Sequence, residues 1–441
     1  MKQTLLVAFI CLLAREFVAG ASSPVPEATP SAGPARTLSL AEARRLAFQR
    51  NWDLLAARSD VDLAVAQRIV AREFPNPTLS LSTTKISADG RANATSLGNG
   101  VLDRSYDTVA AVNQLFEVGG KRASRKASAA ATFRGGDARL ADARRVLELG
   151  VTQAYVAALL AQANAAILTE SAESLRKEAG IAEARLRAGD IARTDKSQIE
   201  ISAQRLELDA SAASNAVTTA KIAVEVLLAE SQPSGNWVPG DTLETLVQST
   251  ENLPENLLGK ELAAQRPDLV AADADLRKAE ADLRLQRALR IPDPTLFLQY
   301  EHEPPDLPNT VGIGVSLPLP LWNRNQGAIQ AALATRQKAE VALQKRRGEV
   351  AAEVATARNN YTSARTRFQQ AQQEILPKSA EVRQTISLAY EKGSASLLDL
   401  LSAQRNDNDV RLAVAQAAAE TARALAELKA ALNITSTTPK P

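Results

Sequence analysis

Apolar positions along this chain recur with two different periods, and the change between them marks its elements. Across residues 121–188 they fall three and four apart, as at Val151, Ala154, Tyr155, Ala158 and Leu159, the spacing of one helix face. No proline occurs between Pro77 and Pro233, and the stretch is rich in Ala, Leu, Glu, Arg and Gln, which are strong helix formers. A long helix over about 120–188 is predicted, weakened at Gly135-Gly136 and Gly150. At ~1.5 Å per residue such a rod spans about 100 Å, too long for one compact domain. A second rod is predicted over about 324–392, with a kink at Pro377. Shorter helices over 40–72, 192–229, 257–290 and 397–432 flank the rods. Laid end to end, each pair approaches its rod in length and could form its antiparallel partner.

Between the first short helix and the rod of each half, the period drops to two. Val311, Ile313, Val315 and Leu317 alternate with Gly312, Gly314 and Ser316. Leu296, Leu298 and Tyr300 alternate with Thr295, Gln299 and Glu301, although Phe297 interrupts the polar face. Strands are predicted over about 294–302 and 309–319, with weaker counterparts over about 78–87 and 104–117. Runs of about ten residues with one apolar face suit tilted transmembrane β-strands. Four strands cannot close a barrel, and open edges fail in lipid. Three chains would supply twelve strands. The soluble alternative is two ordinary hairpins capping coiled coils.

The elements occur twice because the sequence does. Asn51-Trp52-Asp53-Leu54-Leu55 matches Arg266-Pro267-Asp268-Leu269-Val270 at an offset of 215 residues. Phe74-Pro75-Asn76-Pro77-Thr78-Leu79 matches Ile291-Pro292-Asp293-Pro294-Thr295-Leu296 at 217, and Val112 to Arg122 matches Val315 to Asn325 at 203. Gly189 and Asp195 match Gly393 and Asp399 at 204. The fall from 217 to 203 places a longer loop in the first half, over about 88–103, whereas the rods keep nearly equal lengths. The organisation predicted is a first repeat over 37–230, an inter-repeat segment over 231–256, a second repeat over 257–432 and a polar tail over 433–441.

Composition narrows the chemistry. Lys+Arg and Asp+Glu number 52 and 50, so no electrostatic footprint for nucleic acid is present. Residues 1–21 read as an export signal: Lys2, an apolar stretch from Leu5 to Ala14, and Ala19-Gly20-Ala21 before Ser22. A buried first helix is the alternative, and a Ser/Pro/Ala-rich flexible segment over 22–36 follows at once. No later run of about 18 consecutive apolar residues predicts a transmembrane helix. Cys11 is the sole cysteine and lies inside the leader's apolar core, so neither lipidation nor a disulfide is expected. Met1 is the sole methionine and His302 the sole histidine, which argues against thiolate catalysis, Cys/His zinc sites and methionine copper relays. No enzyme, cofactor or protein-held metal is expected. Glu301, His302 and Glu303 could suggest a metal cluster, but consecutive strand residues point to opposite faces, and a loop over 301–309 exposed outside the cell is preferred. Gly119-Gly120-Lys121-Arg122 lacks P-loop spacing and reads as a strand-to-helix joint. Lys121, Arg122, Arg125 and Lys126 are expected either to face lipid phosphates or to form a simple exposed patch.

A secreted chain with a duplicated helix–hairpin–long helix–helix half, each rod ending in a glycine turn followed by Asp, resembles the TolC-type outer-membrane efflux proteins. The resemblance covers about 37–432. Phe74-Pro75-Asn76-Pro77, Leu115-Phe116-Glu117-Val118-Gly119-Gly120-Lys121-Arg122 and the run from Leu317 to Gly327 look most like the CzcC branch of that family. The resemblance implies a mainly α fold with a transmembrane β-barrel. The assembly it implies is a homotrimer with a twelve-stranded barrel in outer-membrane lipid on a twelve-helix periplasmic tunnel. It also implies a periplasmic adaptor (membrane fusion protein) and an inner-membrane resistance–nodulation–division pump as partners, with divalent heavy-metal cations as substrates.

The turn after each rod is then the periplasmic tip. Leu186, Arg187, Gly189 and Asp190, with Tyr390, Gly393 and Ser394, are the residues that the resemblance places against adaptor hairpins. A plain helix C-cap accounts for both glycines by itself. The resemblance also places Asp399, and Asp195 as its copy, at the closed periplasmic gate. A second acidic gate position is Ser402 here, which weakens the case for cation trapping. Six carboxylates around one opening would favour cations; a solvated helix N-terminus, where Asp is favourable anyway, is the plain alternative.

Overall fold

The structure is a computed structural model describing residues 36–84, 107–248, 265–303 and 307–434. Thr37–Pro441 forms one compact unit. The export signal, most of the flexible segment after it, the loop at 88–103, the start of the helix expected from 257 and most of the polar tail lie outside the described residues.

The first half runs β1 (Arg36–Leu38), α1 (Leu40–Arg50), α2 (Trp52–Val70), β2 (Thr78–Thr84), β3 (Asp107–Leu115), α3 (Lys121–Ala188) and α4 (Arg193–Leu227). A link follows with β4 (Trp237–Pro239) and α5 (Leu243–Gln248). The second half runs α6 (Pro267–Ala288), β5 (Thr295–Glu303), β6 (Leu307–Ser316), α7 (Gln326–Gln370), α8 (Leu376–Glu391) and α9 (Leu397–Ala431).

α3 continues through all 68 residues, its glycines included. The helix expected over 40–72 is instead two. Asn51 leaves helical geometry (φ −57°, ψ 128°), and its Oδ1 accepts from Leu54 N at 3.1 Å, capping α2. The second rod is likewise not one α-helix. A π turn over Ala371–Ile375 separates α7 from α8, and Leu376 N–H reaches back five residues to Ala371 O. Pro377 explains it: the proline brings no N–H and its ring crowds the carbonyl one turn earlier, so the wider turn relieves the clash.

α3 packs on α2 and α4 of its own half and on α6 and α9 of the other, while α7 packs on α6 and α9. α9 runs antiparallel to α3. Ser171 Oγ bonds Asn408 Oδ1 at 2.5 Å, Gln153 Nε2 bonds Glu427 Oε1 at 3.0 Å, and Arg145 Nη1 donates to Ala430 O at 3.2 Å.

The link wraps the middle of α3. β4 pairs with β1 in a two-stranded sheet. Trp237, only 3% exposed, stacks on Tyr155 with ring centroids 5.7 Å apart. The Tyr155 hydroxyl lies 2.8 Å from Leu38 O and 3.0 Å from Asp241 Oδ2, and Leu40 N–H donates to the same carboxylate at 2.7 Å. Around this knot Val151, Val156, Ala158 and Leu159 of α3 meet Phe368, Ala419, Leu243 and Val247 in the largest apolar core. No run of about 18 consecutive apolar residues occurs in α3, yet it contains a stretch long and apolar enough, by length and composition alone, to cross a membrane. Its Val151, Tyr155, Val156, Ala158 and Leu159 are buried in this core.

The four long strands form one antiparallel sheet in the order β2-β3-β5-β6. Register puts Leu79, Val112, Leu298 and Ile313 in one cross-strand row, and Leu81, Ala110, Tyr300 and Val311 in another on the same face. That face is open: Leu79 is 68% and Ile313 75% exposed. The opposite face carries Ser80, Ala111, Gln299 and Gly312 in register. Phe297 is the aromatic that breaks this face, and it lies opposite Gly314. A Cβ on Gly314 would run into the Phe297 ring, which lies across the space that the glycine leaves empty. The strand boundaries also differ from expectation: β5 reaches Glu303 and β6 begins at Leu307, with a register shift between Glu301 and Glu303. Most of the loop expected over 301–309 is therefore strand; residues 304–306 lie outside the described residues.

Candidate functional site: two glycine turns and their acidic neighbours

Both rods end in the same backbone motif. Gly189 takes φ +84° and donates to Leu186 O, while Asp190 N–H reaches Arg185 O at 2.9 Å. Gly393 takes φ +76° and donates to Tyr390 O, while Ser394 N–H reaches Ala389 O at 2.8 Å. This is the Schellman closure, whose left-handed residue is most cheaply glycine.

The helices that leave the two turns start differently. α9 has Ser396 as N-cap: its Oγ accepts from Asp399 N at 3.2 Å, and Asp399 Oδ2 accepts from Ser396 N at 3.1 Å. The Ser396 hydroxyl also donates to Asp399 Oδ2 at 2.6 Å. These bonds from Ser396 hold the Asp399 carboxyl below the usual carboxylate range. α4 starts at the equivalent place with Ala192, which has no side-chain cap to offer, so Asp195 is not held in this way. The two candidate gate carboxylates therefore differ: Asp399 is fixed by a capping box and exposed, and Asp195 is half-buried on an uncapped first turn. The Ser-x-x-Asp spacing was readable in the sequence as an N-cap signal; Ser396 is the residue that the sequence reasoning missed.

Behind the turns sits a small apolar core of Leu175, Ala182, Ile199, Ala203, Tyr390 and Leu400. Tyr390 is 3% exposed, with the Arg185 guanidinium 5.0 Å over its ring and Arg185 Nη1 donating to Tyr390 O at 3.1 Å. Tyr390 thus lies inside the tip, whereas Arg187, Gly189, Asp190, Gly393 and Ser394 are exposed and Leu186 is half-buried. Arg187 pairs with Glu183 at 3.2 Å, and Lys196 of α4 reaches the same carboxylate at 2.5 Å, pinning α4 to α3 across the first turn.

Farther from the tip the contacts turn polar. Asp407, 1% exposed, takes Arg383 at 3.0 Å and Ser379 Oγ at 3.1 Å. Glu178 of α3 is 7% exposed, meets Ser387 Oγ at 3.4 Å through Oε1, and leaves Oε2 without a hydrogen-bond partner. Burial pushes its carboxyl above the usual range despite the Ser387 bond and the Arg383 charge.

At the opposite end, the joint between sheet and rods corrects an expectation about the basic run. Lys121 is buried, pairing with Asp293 at 2.6 Å and donating to Ile291 O. Arg122 donates to Arg72 O and stacks 3.7 Å over the Phe74 ring, and Arg125 pairs with Glu117. These three cations brace the joint; Lys126 is exposed. His302 Nδ1 lies 3.3 Å from Asn309 Oδ1, and among the described residues no group of three metal-ligating side chains gathers.

The fold has close relatives. The solved structure of CusC superposes with a TM-score of 0.75 at 18% identity, covering 94% of this chain and 98% of that one. The Campylobacter jejuni CmeC outer membrane channel also gives 0.75 at 18% identity, covering 93% and 94%. In sequence, the chain is 28% identical over 375 residues to the cobalt-zinc-cadmium resistance protein CzcC of Cupriavidus metallidurans, covering 85% of this chain and 84% of that protein. The profile of the outer membrane efflux proteins matches residues 43–230 and 258–433, one block for each repeat. With both repeats matched in sequence and in fold, this chain belongs to the outer membrane efflux protein family.

Proposed function

We propose that three copies of this chain form a passive exit duct through the outer membrane, most suited to divalent heavy-metal cations. The carrying observation is the sheet. Its rows Leu79–Val112–Leu298–Ile313 and Leu81–Ala110–Tyr300–Val311 present an open apolar face backed by a polar one, as lipid outside and water inside require. β2 and β6 are unpaired edges within one chain, and twelve strands from three chains would satisfy them. The helices would continue the duct into the periplasm, with Asp195 and Asp399 around the opening. Arg187, Gly189, Asp190, Gly393 and Ser394 would meet the adaptor of a tripartite pump whose inner-membrane member supplies the energy. The cation assignment rests on the likeness to CzcC.

A duct for organic toxicants is the second reading, favoured by Ser402 standing where the family's second acidic gate residue is expected. Deleting the gene and growing cells on graded cobalt, zinc, cadmium, nickel, copper and organic toxicants decides between them. Sensitivity to the divalent metals is expected; sensitivity to organic toxicants alone overturns the assignment. Replacing Asp195 and Asp399 together by Ala is expected to leave assembly intact and shift cation preference in planar bilayers, and unchanged currents would count against the carboxylate ring.

A further inference from the structure

A cavity of about 90 Å3 lies where α1, α3 and α9 meet, lined by Arg44, Arg145, Glu148, Thr152, Lys429 and Asn433 among others. A second, of about 110 Å3, shares Arg44, Thr152 and Lys429 with it. Three cations and one carboxylate thus line the first space. Arg145 is already committed to Asp142 at 2.8 Å and to Ala430 O. Arg44 donates to Thr152 Oγ1 at 2.9 Å and stands 3.6 Å from Glu148. Lys429 has no hydrogen-bond or ion-pair partner among the described residues. Burial, and then the neighbouring Arg44 guanidinium, hold its ammonium below the usual range, with Glu148 pulling the other way. Burial lowers Arg44 as well, against the same carboxylate.

Half-buried cations in excess of their counter-charge are costly unless an anion joins them. Water could fill the space, which is well above the ~15 Å3 that one molecule needs, but water does not neutralise charge. Of the lining groups that would repel an anion, the Glu148 carboxylate faces Arg44 at 3.6 Å, and Ala430 O already accepts from Arg145. The volume and the cations on its lining suit a small ion with several acceptor oxygens.

We propose that this pocket binds a tetrahedral oxyanion of the phosphate or sulfate class, held by Arg44 and Lys429. The ion would tie α1 of the first repeat to α9 of the second across α3, at the level of the β1–β4 knot.

Isothermal titration of the detergent-solubilised full chain with inorganic phosphate and with sulfate, against chloride at matched ionic strength, tests it. One saturable site per chain and a raised unfolding temperature are expected. Lys429→Gln should weaken binding at least tenfold and Lys429→Arg should retain it, while Lys345→Gln, an exposed lysine on α7, should leave it unchanged. Glycerol 3-phosphate separates the free ion from a lipid headgroup ester, and the confined volume predicts weaker binding of the ester. Absence of saturable binding by the unmodified chain overturns the proposal. So does equal loss in the Lys345 variant, or tighter binding of the ester than of inorganic phosphate.

Discussion

Asn51 and Arg266 occupy equivalent places in the two repeats and close the same joint with different chemistry. Asn51 Nδ2 donates to Leu227 O at the end of α4, at 3.1 Å. Arg266 Nη1 donates to Ala431 O at the end of α9, at 3.3 Å. Each ties the start of a short helix to the last carbonyls of the helix that completes its own half. Arg266 does more, because it is fully buried and also pairs with Asp268 at 2.6 Å and Glu353 at 2.7 Å. Arg346 of α7 completes the cluster, 2.6 Å from the same Asp268.

The two joints should therefore fail unequally. Asn51→Ala removes a cap and one carbonyl contact and should cost about 1 kcal/mol. Arg266→Ala removes a fully buried cation and leaves the half-buried Asp268 with Arg346 alone, and should cost about 3 kcal/mol. Chemical denaturation of each variant measures this, and equal losses would show that the ion cluster adds nothing to the joint.

Asp268 gives the cluster a pH signature. Burial by itself would raise its carboxyl, but hydrogen bonds from Arg266 and Arg346 outweigh burial and hold it at about 2. A depressed folded value means stability that is present above the unfolded value, ~3.9, and lost as pH falls towards the folded one. Asp268→Asn should therefore unfold at a lower temperature than the parent at neutral pH. The difference should close between about pH 4 and pH 2.

Glu178 should behave in the opposite sense. Its raised carboxyl penalises the folded state at neutral pH, and the penalty disappears as pH falls below the unfolded value of about 4.3. Glu178→Gln should raise the unfolding temperature at neutral pH and match the parent at low pH. A lowered unfolding temperature at neutral pH would mean that the charge is needed by Arg383 nearby.

The unequal tips predict that Ser396→Ala destabilises the start of α9 by about 1 kcal/mol, whereas Ala192→Ser gives α4 the hydroxyl it lacks and adds stability of similar size. Hydrogen exchange at the first turn of each helix reads both effects separately.

Gly314→Val should displace Phe297 from the polar face and cost about 1–3 kcal/mol in sheet stability. Phe297→Ala in the same chain should recover part of it, and the double variant measures the coupling.

Much of this architecture was legible because its signals are local. Gly189 and Gly393 mark rod ends whose left-handed turn needs glycine, and the alternation from Val311 to Val315 marks a strand whose partners share its period. Pro377 announced a disturbance but not its form, since a kink and a π turn relieve the same clash. What stayed hidden depends on distant partners. Nothing near Tyr155 says that Leu38 and Asp241 will share its hydroxyl, and nothing in Lys121-Arg122 says that Asp293 and Arg72 wait for them. At the tip, the acidic positions stood out by analogy, yet the inequality between Asp195 and Asp399 follows from Ala192 and Ser396, three residues earlier.

The free edges of β2 and β6 have a kinetic side. A lone chain entering lipid would carry two rows of unsatisfied N–H and C=O groups, each costing several kcal/mol. Insertion must then follow or accompany encounter with other copies, so its rate should rise faster than linearly with chain concentration. Below some concentration the apolar rows of the sheet would face water with no membrane to enter. In the proposed trimer, the span of each strand would set how the barrel fits the bilayer, but the supply of neighbouring chains would decide whether a barrel forms at all.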